Sequence, residues 1–215
     1  MELKNTDESQ KAGVTEAAAG QDLSISLGSA NRRSIIFGLP PAVLVFAMYV
    51  LFWGRPHLSL NVSGILLMVG LFIAGVVMHE AIHGLVWAFR GTKSFASIKY
   101  GMNSKALAPY AHATAPMKAG AYRLGAASPA VVLGVLPSLI GLLTGSVLTT
   151  FFGIIFLAAA AGDFLILWLI RNVPSDALLK DHPTNAGCIV LDGGEQEPLT
   201  NDRSDVEGRV TNCKS

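Results

Sequence analysis

Between Val62 and Phe89 the chain reads VSGILLMVGLFIAGVVMHEAIHGLVWAF. Its length exceeds the ~20 apolar residues that suffice for a membrane-spanning helix, so a tilted or protruding helix is expected. His79, Glu80 and His83 are the ionisable groups inside it. Histidines four residues apart share one helix face, so both imidazoles reach one metal ion. Glu80 points to the side of that pair, where it can hold a water beside the metal and take its proton. Three such groups in an apolar span are costly and mark a functional site by default. The plainer reading is a helix carrying a satisfied polar cluster.

Composition agrees with a membrane protein. Of 215 residues, 51% are hydrophobic and 14% charged, against about 25% charged in soluble domains. A net charge of +1 gives no reason to expect nucleic acid as a partner. Cys188 and Cys213, both late in the chain, make neither a disulfide framework nor a metal-type spacing.

Outward from the central run, three more apolar stretches stand out. Spans are expected at about 35–53, 62–89, 124–143 and 147–170. Pro40 and Pro41 fall in the first turns of the first, where proline is tolerated. Pro129 and Pro137 lie inside the third and are expected to disturb its hydrogen bonding or kink it. Gly91 is the expected cap of the second. Residues 1–34 read as a disordered tail, 35–173 as a membrane-embedded domain and 174–215 as a polar C-terminal tail. Between spans two and three, 95–102 and 106–113 read as strands of a β-hairpin around Asn103-Ser104. The free edge of that hairpin would suit an extended peptide. His112 is either a surface residue of the hairpin or a third metal ligand. The fold class is thus all-α integral membrane, with about four transmembrane helices and a small hairpin.

Basic residues near the spans gather on alternate sides. Arg32 and Arg33, then Arg90 to Arg123, then Arg171 and Lys180 lie on one side, and Arg55 alone on the other. That bias assigns both termini and the 90–123 segment to the cytoplasm. His83 and Asp163 then lie about 10.5 and about 12 Å from that boundary, at nearly one depth. Asp163 can complete a His, His, Asp ligand set if helices two and four touch. Otherwise it is a protonated or hydrogen-bonded carboxyl in the span.

This pattern resembles the putative zincin peptidase family of bacterial membrane proteins, which looks related to site-2-protease-type intramembrane metalloproteases. The resemblance covers roughly residues 60–190. It rests on His79-Glu80-Ala81-Ile82-His83-Gly84, on Tyr110 to Pro129, and on Gly162-Asp163 followed by Asp181-His182-Pro183 and Gly187. It implies one Zn2+ per chain held by His79, His83 and Asp163, with Glu80 as catalytic base. It also implies a bacterial cytoplasmic membrane and a protein or peptide substrate. The chain departs from the site-2 class in lacking its Asn-Pro…Asp-Gly signature, since Asp163 follows glycine and precedes Phe164. The expected function is a zinc-dependent, membrane-embedded endopeptidase. The alternatives are a non-enzymatic metal-binding regulator or carrier, or an inactive scaffold.

Overall fold

The computed structural model describes residues 20–57, 61–103 and 108–191. Helix α1 spans Leu27–Trp53. Helix α2 spans Val62–Val86 and runs on through a wide π turn, Trp87–Gly91. Asn61 starts α2, its side chain accepting from the Gly64 N–H at 2.7 Å. Helices α3, Ala119–Pro129, and α4, Leu136–Thr144, form one rod through a π segment, Ala130–Val135. That segment begins directly after Pro129, which removes a backbone donor. Helices α5, Val147–Ala159, and α6, Ala161–Leu169, are bent 42° apart.

Three of these rods are long and apolar enough to cross a membrane, or four if the bent pair is one span. Apolar side chains on α1 and α2 stay exposed, among them Ile36, Leu51 and Leu66. Faces of that size are unusual on a soluble monomer and suit lipid.

The chain is mostly helical rather than all-α. An antiparallel hairpin pairs β2, Ile98–Asn103, with β3, Ala108–Ala113, as expected, but Phe95–Ser97 form a 3-10 turn rather than strand and Asn103 ends β2 rather than opening the turn; residues 104–107 lie outside the described residues. A second, four-stranded antiparallel sheet was not anticipated. It joins β1, Asp22–Ile25, to β6, Ala186–Leu191, to β5, Leu178–Asp181, to the short β4, Met117–Lys118. Two expectations are corrected by it. Residues 22–34 are not part of a tail, since they form β1 and the first turns of α1. Residues 178–191 are likewise folded as β5 and β6. Each strand is short, and its apolar face is completed only by a distant partner. Gly91 does not cap α2 in the left-handed conformation; Lys93, two residues on, carries the positive φ of 56°.

Both sheets sit at the end where α2 finishes and α3 begins. Between them and the helices lies a core that includes Trp87, Ile98, Met117, Tyr122, Leu179 and Cys188. Burial, with the Asp181 charge nearby, pushes the Cys188 thiol up to about 12. At pH 8 only about one part in ten thousand is then thiolate. Cys188 is therefore expected to resist maleimide in the folded protein and to label on unfolding, read by peptide mapping. Rapid labelling of the folded protein would contradict this packing.

At the opposite end, α4 and α5 form a tight helical hairpin. A Cβ at Gly153 would overlap the Ser138 backbone nitrogen and the Gly134 carbonyl. Small residues let helix backbones approach this closely. Gly153→Leu is expected to cost about 1–3 kcal/mol, seen as a lower melting temperature in detergent. An unchanged melting temperature would argue against the close α4–α5 contact.

Candidate metal centre

Gly75, His79, His83 and Trp87 recur every four residues and line one face of α2 and its π turn. The bend after Ala159 turns the chain so that Asp163 stands in the first turn of α6, facing that stripe. A carboxylate is favoured there by the helix dipole. Asp163 Oδ2 lies 3.1 Å from His79 Nε2, and its Oδ1 lies 3.2 Å from His83 Nε2. The two imidazole centroids are 4.9 Å apart. One ligand atom from each of the three residues fits within 4.8 Å of the others. The equal depth expected for His83 and Asp163 is thus matched by direct contact.

The surroundings fix His83 more firmly than His79. His83 Nδ1 lies 2.9 Å from the Gly125 carbonyl. A carbonyl only accepts, so Nδ1 carries the proton. Trp87 stacks on the other side of the His83 ring at 5.2 Å, and Tyr122 stacks on Trp87 at 5.3 Å. The Trp87 indole N–H donates to the Tyr122 carbonyl at 3.1 Å. This column needs glycine at 125, because a Cβ there would run into the indole ring. His79 Nδ1, by contrast, is buried with no partner among the described residues.

These contacts test whether a metal ion suits the residues. With its proton on Nδ1, a neutral His83 turns the bare Nε2 lone pair toward a carboxylate oxygen at 3.2 Å. Two acceptors so placed repel unless a proton or a cation lies between them. Two imidazoles and one carboxylate are a common three-residue donor set for zinc. The Nδ1–H to carbonyl contact of His83 is the usual outer support of a ligating histidine. The residues fit the group.

Glu80 is not one of this trio. It lines, with the three residues, a cavity of about 900 Å3 that lies under the hairpin and reaches the first turns of α1. The hairpin edge expected to be free is partly used. Ala111 and Ala113 share a parity on β3, so their N–H groups leave on one side. The Ala113 N–H donates to Asp181 Oδ2 at 2.9 Å.

His112 does not join the metal trio. It lies 3.4 Å from Asp181 through Nδ1. His57 is exposed in the loop between α1 and α2. His182 forms a turn, with Nδ1 accepting from the N–H groups of Thr184 at 3.1 Å and Asn185 at 2.8 Å. Sequence reasoning missed the pairing of His112 with Asp181, which are 69 positions apart and meet only through the contact of β3 with β5. Burial pushes the Asp181 carboxyl above its usual range, against hydrogen bonds from Tyr122 and Ala113.

No curated protein and no solved structure matches the chain. Residues 72–178, which include His79, Glu80, His83 and Asp163, match the family model described as putative zincin peptidase, and that match supports a zincin-like metallopeptidase family for this chain.

Proposed function

We propose that the protein is a zinc-dependent endopeptidase embedded in the membrane, of the site-2-protease kind. It would cleave peptide bonds of membrane or membrane-proximal substrates. The reading is carried by one observation: α2 and α6 bring His79, His83 and Asp163 within 4.8 Å, beside Glu80 in one cavity. His79 and His83, through Nε2, and Asp163, through its carboxylate, would hold one Zn2+ per chain. The ion would supply Lewis acidity toward the scissile carbonyl and lower the pKa of water at the site.

The chain's own residues do the rest. Glu80 accepts the proton of the attacking water and delivers it to the leaving amine. Gly125 and Trp87 keep the His83 ring oriented. The substrate segment must be locally unwound to enter, because a helix hides its peptide bonds in its own hydrogen bonds. The basic residues flanking the helices support a cytoplasmic position for both termini and the hairpin. We assign the protein to a bacterial cytoplasmic membrane on its resemblance to bacterial membrane peptidases.

The test is cleavage of a proteome-derived peptide mixture by the purified protein in detergent, with new termini read by mass spectrometry. New termini are expected with zinc, disappear with 1,10-phenanthroline and return on adding Zn2+. Zinc uptake with no new termini, or cleavage that survives the chelator, would overturn the reading.

A further inference from the structure

Strand β1 leads into α1, strand β5 follows α6, and both strands belong to one sheet. The N-terminal end of α1 and the C-terminal end of α6 therefore lie together. A Cβ on Gly38 would press on Ala161, so α1 runs close against the start of α6. Phe37 of α1 meets Trp168 of α6, with ring centroids 5.9 Å apart. Two arginines flank this aromatic pair. The Arg171 guanidinium lies over the Trp168 ring, 4.1 Å from its centroid. Its Nη1 donates to the Trp168 carbonyl at 2.8 Å. The stack fixes the plane of the guanidinium and leaves its other donors open. Arg33 sits one turn before Phe37, on the same face of α1. Helical side chains lean toward the N-terminus, so the Arg33 stem leads toward the end that borders Trp168 and Arg171. Neither arginine has a carboxylate partner among the described residues. The indole N–H groups of Trp53 and Trp87 donate to backbone carbonyls at 2.8 and 3.1 Å, whereas that of Trp168 has no acceptor among the described residues. Two cations and a free donor gathered without a counter-charge suit an anion.

We propose that Arg33, Trp168 and Arg171 bind the phosphate of an anionic phospholipid where α1 and α6 leave the membrane. The proposal rests on the membrane reading above and not on the peptidase chemistry. A guanidinium presents paired donors that match two phosphate oxygens, and it sheds water more easily than an ammonium. The indole N–H adds a donor beside them. Tryptophan and arginine are also residues that anchor a helix end at headgroup level. The surface next to the arginines selects a lipid over a free anion. Ile36 and Leu39, just further along α1, are exposed, and a lipid seated by its phosphate lays its acyl chains there. On the topology proposed above the site faces the cytoplasmic leaflet, where anionic lipid attracts basic groups. The bound lipid would tie the first turns of α1, whose Leu27 and Asn31 line the cavity, to the helix that carries Asp163.

Full-length protein in a non-ionic detergent is titrated with phosphatidylglycerol and with phosphatidylcholine of the same acyl chains. Inorganic phosphate serves as competitor. Bound lipid is counted by native mass spectrometry, so cleavage does not enter the readout. Wild type is compared with Arg33→Gln, Arg171→Gln, their double variant, Trp168→Phe and Arg32→Gln, which removes the same charge from a neighbouring face. The substituted arginines are exposed, so these variants are expected to fold. Wild type should bind phosphatidylglycerol more than about tenfold tighter than phosphatidylcholine. Arg33→Gln and Arg171→Gln should each lower that affinity about fivefold, and the double variant should lose the preference. Trp168→Phe, which keeps a ring but not the N–H, should lie between wild type and Arg171→Gln. Arg32→Gln should stay within about twofold of wild type, because an exposed charge off the site is screened. Phosphatidylglycerol should raise the melting temperature of wild type and not that of the double variant.

Unchanged phosphatidylglycerol affinity in the double variant would overturn the proposal. So would a loss in Arg32→Gln as large as that in Arg33→Gln, which would make the effect one of net charge. Displacement of the lipid by an excess of inorganic phosphate would make the ligand a soluble anion and overturn it too. A wild type that stays monodisperse without detergent and takes up neither lipid would overturn the membrane reading along with the proposal.

Discussion

Glu80→Gln is expected to lower kcat by about 10²–10⁴-fold, the span that one general base contributes, while zinc content stays as in wild type. Glutamine has the same shape, but it cannot take a proton from water. Glu80 also stands outside the group formed by His79, His83 and Asp163. Removing its charge should therefore leave metal binding intact. The measurement is a rate on any substrate peptide found by the cleavage screen, with metal content read on the same preparation. Full activity would remove Glu80 from the mechanism, and loss of zinc would make it a ligand instead.

Asp163→Ala should weaken zinc binding by more than about 10²-fold, since loss of an outer support alone costs 10–100-fold. The carboxylate touches both histidines, at 3.1 and 3.2 Å. Its loss would take away a proposed ligand and also the polar partner that His79 has among the described residues, where its Nδ1 has none. Competition with a chromogenic zinc chelator reads the affinity. Asp163→Asn should fall between alanine and wild type, because it keeps one oxygen but no charge. Unchanged affinity in Asp163→Ala would mean that the ion sits elsewhere.

Much of the arrangement was legible locally. The i, i+4 spacing of His79 and His83 needs only a helix, and the apolar run from Val62 to Phe89 supplies one. The meeting of His83 with Asp163 was legible because basic residues mark one end of each span and a helix rises by a fixed amount per residue. The hairpin was legible because Ile98–Asn103 and Ala108–Ala113 are short strand-like runs close in sequence.

What escaped was non-local. Strand β1 pairs with β6 through contacts such as Leu23 with Cys188, and four- to six-residue strands carry too few apolar positions to announce a distant partner. The same sheet places Asp181 beside His112, so that pair was hidden with it. The break at Ala160 was hidden for another reason. No proline marks it, and the apolar run from Val147 to Ile170 continues across it. Yet that 42° bend puts Asp163 in the first turn of a new helix, where its carboxylate meets both rings.

The central claim is that helices α2 and α6 share one zinc ion through two imidazoles and a carboxylate. Metal content by plasma mass spectrometry, on folded wild type beside His79→Ala and His83→Ala, tests it most directly. The account predicts about one zinc per chain in wild type and a large loss in each variant, with melting behaviour showing that the variants still fold. Equal zinc in all three proteins, or none in wild type after exposure to the ion, would contradict it.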